Sequence, residues 1–121
     1  MKISILTIGD EILIGQIINT NASWISAQLT SIGIKVVAQS TVGDEKKQII
    51  DEITRLFTLS DMIIATGGLG PTHDDITKKV LAEYFKKDLV IDKTALKNIE
   101  ELAKLRNRKM TKLIESQALV L

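Results

Sequence analysis

Apolar positions along this chain fall into two kinds of run. Short unbroken runs rich in β-branched residues predict buried strands, and apolar residues three or four apart predict amphipathic helices. Ile3 to Ile8 is the first strand-like run, Val36, Val37, Ala38 and Val42 mark a second, and Asp61 to Thr66 is a third. After the first strand, Gly9 to Thr20 reads as a loop. Asn21 is then placed to cap a helix whose Ala22, Ile25, Leu29 and Ile32 share one face, with Gly33 as its stop. Ile49, Ile50, Ile53, Leu56 and Phe57 define the face of the next helix, which Asp44 is placed to cap. Ile76, Val80, Leu81, Tyr84 and Phe85 define another, and Asp92 to about Arg106 a further one with Leu96, Ile99, Leu102 and Ala103 inward. Leu89-Val90-Ile91 fits either an edge strand or a loop. Alternation of strand and helix predicts an α/β fold: three layers, α/β/α, around a mostly parallel sheet. Ligands of such folds bind beyond the carboxyl ends of the strands.

Composition narrows the picture. A chain of 121 residues, 45% hydrophobic and 26% charged, suits one soluble domain, and with only 3% aromatic residues its core must be aliphatic. The absence of cysteine excludes disulfides and thiolate zinc sites and fits a reducing compartment. Sixteen basic and 15 acidic residues leave a net charge of +1, which announces neither a nucleic-acid nor a membrane surface. The apolar start, Met1 to Ile8, is broken by Gly9-Asp10-Glu11 too early for a signal peptide or a membrane span, so a cytoplasmic location is expected.

Candidate chemistry gathers in the loops predicted to leave the strands. Thr66-Gly67-Gly68-Leu69-Gly70-Pro71-Thr72 is a glycine-rich turn between a strand and a helix, where backbone N–H groups and the helix dipole favour an anion. It lacks the lysine of a P-loop and carries only half of a dinucleotide fingerprint. Its alternative is a plain structural turn, rigidified by Pro71. Asp74 and Asp75 follow, and Thr72-His73-Asp74-Asp75 also matches a capping box with Asp in place of Glu, so Asp75 reads as either a cap or a ligand-facing acid. Asp44 carries the same two readings. Asp10 and Glu11, just after the first strand, read as solvated loop residues or as metal ligands and acceptors for substrate donors. Asn21 is a candidate substrate contact, whereas loop-ordering suits Asn19. His73, the sole histidine, reads as solvated more readily than as a general base. Trp24 reads as packing. Lys104, Arg106, Arg108, Lys109 and Lys112 form a basic tail that suits a helix end and a solvated face.

Three of these segments resemble the competence/damage-inducible CinA family. They are Thr7 to Asn21 (Thr-Ile-Gly-Asp-Glu-Ile-Leu-Ile-Gly-Gln-Ile-Ile-Asn-Thr-Asn), Thr41-Val42-Gly43-Asp44, and Thr66 to Thr77, in that order; Ser116-Gln117-Ala118-Leu119 resembles the start of a later motif. The wider group is the molybdopterin-binding domain, MoaB- and MogA-like, found also in molybdopterin adenylyltransferases and molybdenum-insertion proteins. The resemblance implies a three-layer domain that binds a nucleotide or pterin phosphate. It implies that Asp44 and Asp75 are the functional aspartates and that Gly67 and Gly68 cradle phosphate, with Thr66, Gly70 and Thr72 beside them. It further implies a divalent cation, magnesium or manganese, held by Asp75, Asp44 and Glu11, with Asp10, Glu11 and Asn21 toward the substrate. The implied activity is metal-dependent hydrolysis of ADP-ribose to AMP and ribose 5-phosphate; the alternative is a module that binds molybdopterin or an adenylated pterin without turnover. A homo-oligomer is expected, and residues 1–121 are expected to form one domain, incomplete at its carboxy-terminal end because the family domain is longer.

Overall fold

The computed structural model describes residues 1–73 and 75–105, with the backbone of residues 119–120. The elements run β1 (Lys2–Ile8), α1 (Asp10–Leu13), α2 (Thr20–Ser31), β2 (Lys35–Val42), α3 (Lys46–Phe57), β3 (Met62–Thr66), α4 (Thr77–Tyr84), β4 (Val90–Ile91), α5 (Lys93–Leu105) and β5 (Leu119–Val120). Two compact units result, Met1–Gly68 and Leu69–Leu121.

The first unit is built on a parallel sheet of order β2-β1-β3. Its central strand is buried on both faces: every residue from Ile3 to Ile8 is inaccessible, as a strand covered by helices on each side requires. Side-chain hydrogen bonds tell the faces apart. Thr7 accepts from Asn19 at the start of α2 (2.8 Å), and Gln39, register partner of Ile5, donates to Ser26 of α2 (2.6 Å). On the opposite face Ser4 donates to Ser60 just beyond α3 (2.8 Å), and Ser40, register partner of Leu6, donates to Glu52 of α3 (2.7 Å). Period-two alternation thus places α2 over Ile3, Ile5 and Thr7, and α3 over Ser4, Leu6 and Ile8. This is the expected α/β/α layering. Ile49, Ile53 and Leu56 of α3 complete the core on the second face. The register of β1 against β2 shifts between Ile3 and Ser4, so that Val37 is the extra residue of a bulge.

Several local expectations are corrected. The loop at Gly9 to Thr20 contains α1, a single turn. α2 is capped by Asn19 rather than Asn21: the Asn19 carboxamide oxygen accepts the Ala22 N–H (3.2 Å). Ile32, Phe57 and Phe85 are exposed because each sits at the last turn or C-cap of its helix, past the stretch that faces inward. Trp24 and Leu102 are exposed as well, whereas Ala82, outside the expected face of α4, is buried. Gly33 does take the left-handed conformation expected of a helix stop, at φ 82°.

In the second unit, α5 starts where Asp92 accepts the N–H groups of Thr94 (2.8 Å) and Ala95 (3.4 Å). The Leu89-Val90-Ile91 run resolves as a strand: β4 pairs antiparallel with β5, Val90 opposite Val120 and Ile91 opposite Leu119. No helix among the described residues is long and apolar enough to cross a membrane.

Candidate functional site

Because β1, β2 and β3 are parallel, their carboxyl ends lie on one rim. Each strand is followed at once by a glycine: Gly9, Gly43 and Gly67. At Gly67 the requirement is steric. Its φ is 94°, and a Cβ there would overlap the carbonyl oxygen of Ile8 in the neighbouring strand. The chain turns from β3 across the end of β1 with no room for a side chain, and Gly68 follows, also left-handed at φ 64°. Thr66, the last residue of β3, is paired in register with Thr7.

Two acids on this rim hold one another's backbone. The Asp10 N–H donates to Asp44 Oδ2 (3.2 Å), and the Asp44 N–H donates to Asp10 Oδ1 (3.0 Å). The exchange ties the turn after β1 to the turn after β2, across 34 residues of sequence. Gly43 is needed beside it, since a Cβ at that position would lie 2.5 Å from Asp10 Oδ1. The N-cap residue of α3 is Glu45 rather than Asp44; its side chain makes no capping bond, and Gln48 reaches back to accept the Gly43 N–H (3.0 Å) while donating to the Glu45 carboxylate (2.8 Å). Gln48 was not singled out from sequence, although its place three residues after the cap is a recognised helix-start signal. Glu11 is exposed and its carboxylate lies back over Gly9, with Oε1 3.1 Å from where a Cβ on that glycine would stand. Asn19 orders the loop by bonding both Thr7 and the first turn of α2. Asn21 is exposed in that turn.

The remaining candidates belong to the second unit. Thr72 donates to the Asp75 carboxylate twice, from its hydroxyl (2.7 Å) and its backbone N–H (3.1 Å), both to Oδ2. The Thr72 hydroxyl holds the Asp75 carboxyl below the ordinary range of an aspartate; burial opposes this, and the backbone around Thr72 and Gly70 reinforces it. A Cβ on Gly70 would lie 2.5 Å from the same Oδ2. Half of a capping box is present, since Asp75 does take the Thr72 N–H. No helix end is capped by it, however, because α4 begins at Thr77 with Ile76 as its N-cap. Asp75 instead closes the glycine-rich turn on itself. His73 is exposed. Asp74, Arg106, Arg108, Lys109, Lys112 and the Ser116-Gln117-Ala118 motif lie outside the described residues, and of Leu119 only the backbone is described.

Carboxylate oxygens suit a hard cation such as magnesium or manganese. Among the described residues no group of three histidine, aspartate or glutamate side chains is gathered in metal-binding fashion. Magnesium commonly takes one or two protein carboxylates and completes its shell with water and phosphate oxygens.

Comparison with known proteins places this geometry in a class. Residues 4–116 match the family described as "Probable molybdopterin binding domain", and the chain belongs to that family. A Clostridium botulinum protein (strain 657 / Type Ba4) named as competence-damage inducible is 45% identical over 118 residues, covering 98% of this chain and 29% of that protein. The chain therefore spans less than a third of the curated relatives it matches. Among solved structures, the protein CinA of unknown function from Thermoplasma acidophilum is similar with a TM-score of 0.84 and 34% identity, over 98% of this chain and 69% of that one. The molybdopterin biosynthesis enzyme MoaB from Thermus thermophilus is similar with a TM-score of 0.60 and 25% identity, over 96% of this chain and 70% of that one. The CinA resemblance and the molybdopterin-binding α/β fold expected from the motifs are both found.

Proposed function

We propose that this domain binds a phosphorylated pterin of the molybdopterin class at the carboxyl ends of its parallel strands. One coincidence supports the reading most. The molybdopterin-binding family match spans residues 4–116, and within it lies a rim where Gly67 admits no side chain and the Asp10–Asp44 exchange holds two turns in place. Rigid turns with a side-chain-free corner let a ligand approach backbone closely, and carboxylates accept the ring N–H and amino donors that a pterin presents. In the first unit, Thr66, Gly67 and Gly68 are the residues for phosphate, and Asp10, Glu11 and Asn21 those for the remainder of the ligand. Gly70 and Thr72 offer phosphate donors in the second unit. Magnesium or manganese would be held by Glu11 and Asp44, with Asp75 offering the same donor type in its own unit. When bound, such a cation offsets charge on phosphate oxygens.

Isothermal titration with molybdopterin, or mass spectrometry of small molecules carried through purification, tests this reading. Saturable binding of a phosphorylated pterin supports it. Absence of binding in protein that is folded by circular dichroism rejects it.

A second reading keeps the same site but adds turnover: hydrolysis of a nucleoside diphosphate sugar, ADP-ribose first, to AMP and ribose 5-phosphate. The observation behind it is the pair of acids at the rim of the first unit, Asp10 and Asp44, with Asp44 the catalytic candidate there and Asp75 the candidate in the second unit. Release of AMP from ADP-ribose with manganese present, abolished by Asp44→Asn, would favour it over simple binding. Sedimentation velocity checks the expected homo-oligomer.

A further inference from the structure

From Ile12 to Ile34 there is no charged residue, in a chain that is 26% charged. That stretch contains the whole of α2, whereas α3, α4 and α5 each carry both signs. α2 is nonetheless a surface helix, in which only Ala22 is fully buried. Ile25, Ser26 and Leu29 are half-buried and mark its inward side with Ala22. Helical spacing then puts Thr20, Trp24, Ala27, Gln28 and Ser31 on the outward face, and all five are exposed. Large apolar side chains stand on this face and at both of its ends. Trp24 is 65% exposed, Ile18, just before the helix, 83%, and Ile32, its C-cap, 70%. A solvated helix turns charge outward; an aromatic anchor among uncharged neighbours is the composition of an interface core.

The chemistry of the face selects its occupant. Thr20, Gln28 and Ser31 each donate and accept, so each can pair with its own kind, and without charge no repulsion opposes contact between identical faces. A charged partner would find no complement here. A helix lying on a membrane would carry lysine or arginine on its polar side, and α2 has neither. The face also matches itself in shape. A two-fold axis through the middle of α2, between Ile25 and Ser26, sets Trp24 of one copy opposite Ala27 of the other, and Thr20 opposite Ser31. The largest side chain meets the smallest, and Ile18 of one copy is brought toward Ile32 of the other. At these exposures the face and its apolar ends present on the order of 600 Å² per copy, so a pair covers about 1,200 Å², the lower bound of stable specific interfaces.

We infer that α2 is a self-association surface: two copies of this chain pack antiparallel through their uncharged faces, Trp24 of each against Ala27 of the other. This holds whatever ligand the rim of the sheet binds.

Trp24 is the sole tryptophan, so its emission reports on this face alone. Sedimentation equilibrium and tryptophan emission are followed on the 121-residue chain from about 1 to 300 µM, the range suited to an interface of this size. The mass doubles, and the emission shifts to the blue over the same concentrations. Trp24→Lys and Ala27→Glu, both at exposed positions and both checked for folding by circular dichroism, each weaken association by more than about tenfold. Mixed in equal amounts they recover it. The mixed pair keeps one Trp24–Ala27 contact and sets the introduced carboxylate opposite the introduced ammonium, so it associates at least about tenfold more tightly than either variant alone. A monomer throughout overturns the inference. So does a dimer whose Trp24 emission stays that of a solvated indole, which places the contact on another face. A pair of variants that associates no better mixed than apart overturns the antiparallel contact. The fluorescence result is read on the unaltered chain, so it decides the matter even where a variant fails to fold.

Discussion

The two units each use an aspartate to hold backbone amides, but over very different distances along the chain. In the first, Asp10 and Asp44 exchange N–H groups across 34 residues, joining turns that the parallel sheet brings side by side. In the second, Asp75 closes a loop on Thr72, three residues away. A long-range exchange exists only when the sheet is formed, so it reports on folding and holds the rim rigid. A local closure can form and open without disturbing any strand, which makes it the better candidate for movement when a ligand arrives.

The comparison can be broken most directly at the rim of the first unit. Gly67→Ala combines a left-handed φ with overlap onto the Ile8 carbonyl, and we expect a loss of about 3 kcal/mol in urea unfolding. A loss under about 1 kcal/mol would show that the β3 corner yields easily. Next comes the exchange itself. Asp10→Ala and Asp44→Ala each cost about 1 kcal/mol by removing the one bond that the lost carboxylate accepts, and a double-mutant cycle returns a coupling of about 0.5 kcal/mol because each bond steadies the turn whose N–H makes the other. Additive effects would mean that the two acids act independently. Thr72→Val is smaller in stability, within about 0.5 kcal/mol, yet it moves the Asp75 carboxyl upward toward the ordinary aspartate range, as side-chain carbon NMR through an acid titration would show.

The smallest expected effect concerns pH. Asp75 is held low by the Thr72 hydroxyl, and Glu52 is held low by Arg55, with Ser40 assisting. Both folded values lie below the unfolded ones. Their contribution to stability is therefore present at neutral pH, begins to fall near the ordinary carboxylate range, and is gone once pH has dropped through the folded values. Arg55, the partner of Glu52, is largely exposed and Asp75 is only partly buried, so screening keeps the contribution modest. Urea midpoints at about pH 7, 4 and 3, compared between wild type and Thr72→Val, isolate the part that belongs to Asp75: the variant loses less on acidification.

Much of the fold was legible in the apolar pattern. Ile3 to Ile8 reads as a buried strand because it is apolar but for two hydroxyls, Ser4 and Thr7, which find partners at the helix ends, and it became the central strand with both faces covered. Helical spacing at Ile49, Ile53 and Leu56 likewise matched the buried face of α3. Helix ends were read less well. Asn19 and Asn21 are equally good caps by residue type, and the choice fell to Asn19 because it alone bonds Thr7 in the adjacent strand. The exposure of Ile32, Phe57 and Phe85 could not be read from spacing, since periodicity says which residues share a face but not how far along a helix that face stays covered.

For the candidate site the division follows the same physics. Residue type and order along the chain determined the glycine-rich turn, the acids after each strand, the family resemblance, and even the short-range partnership of Thr72 with Asp75, because three residues of chain leave few ways to arrange them. Only the tertiary structure decided that Asp10 and Asp44 meet, that Gly43 must make way for a carboxylate, and that Gly67 lies against the carbonyl of Ile8. Those contacts depend on strand order and register, which are properties of the assembled sheet and are carried by no local stretch of sequence.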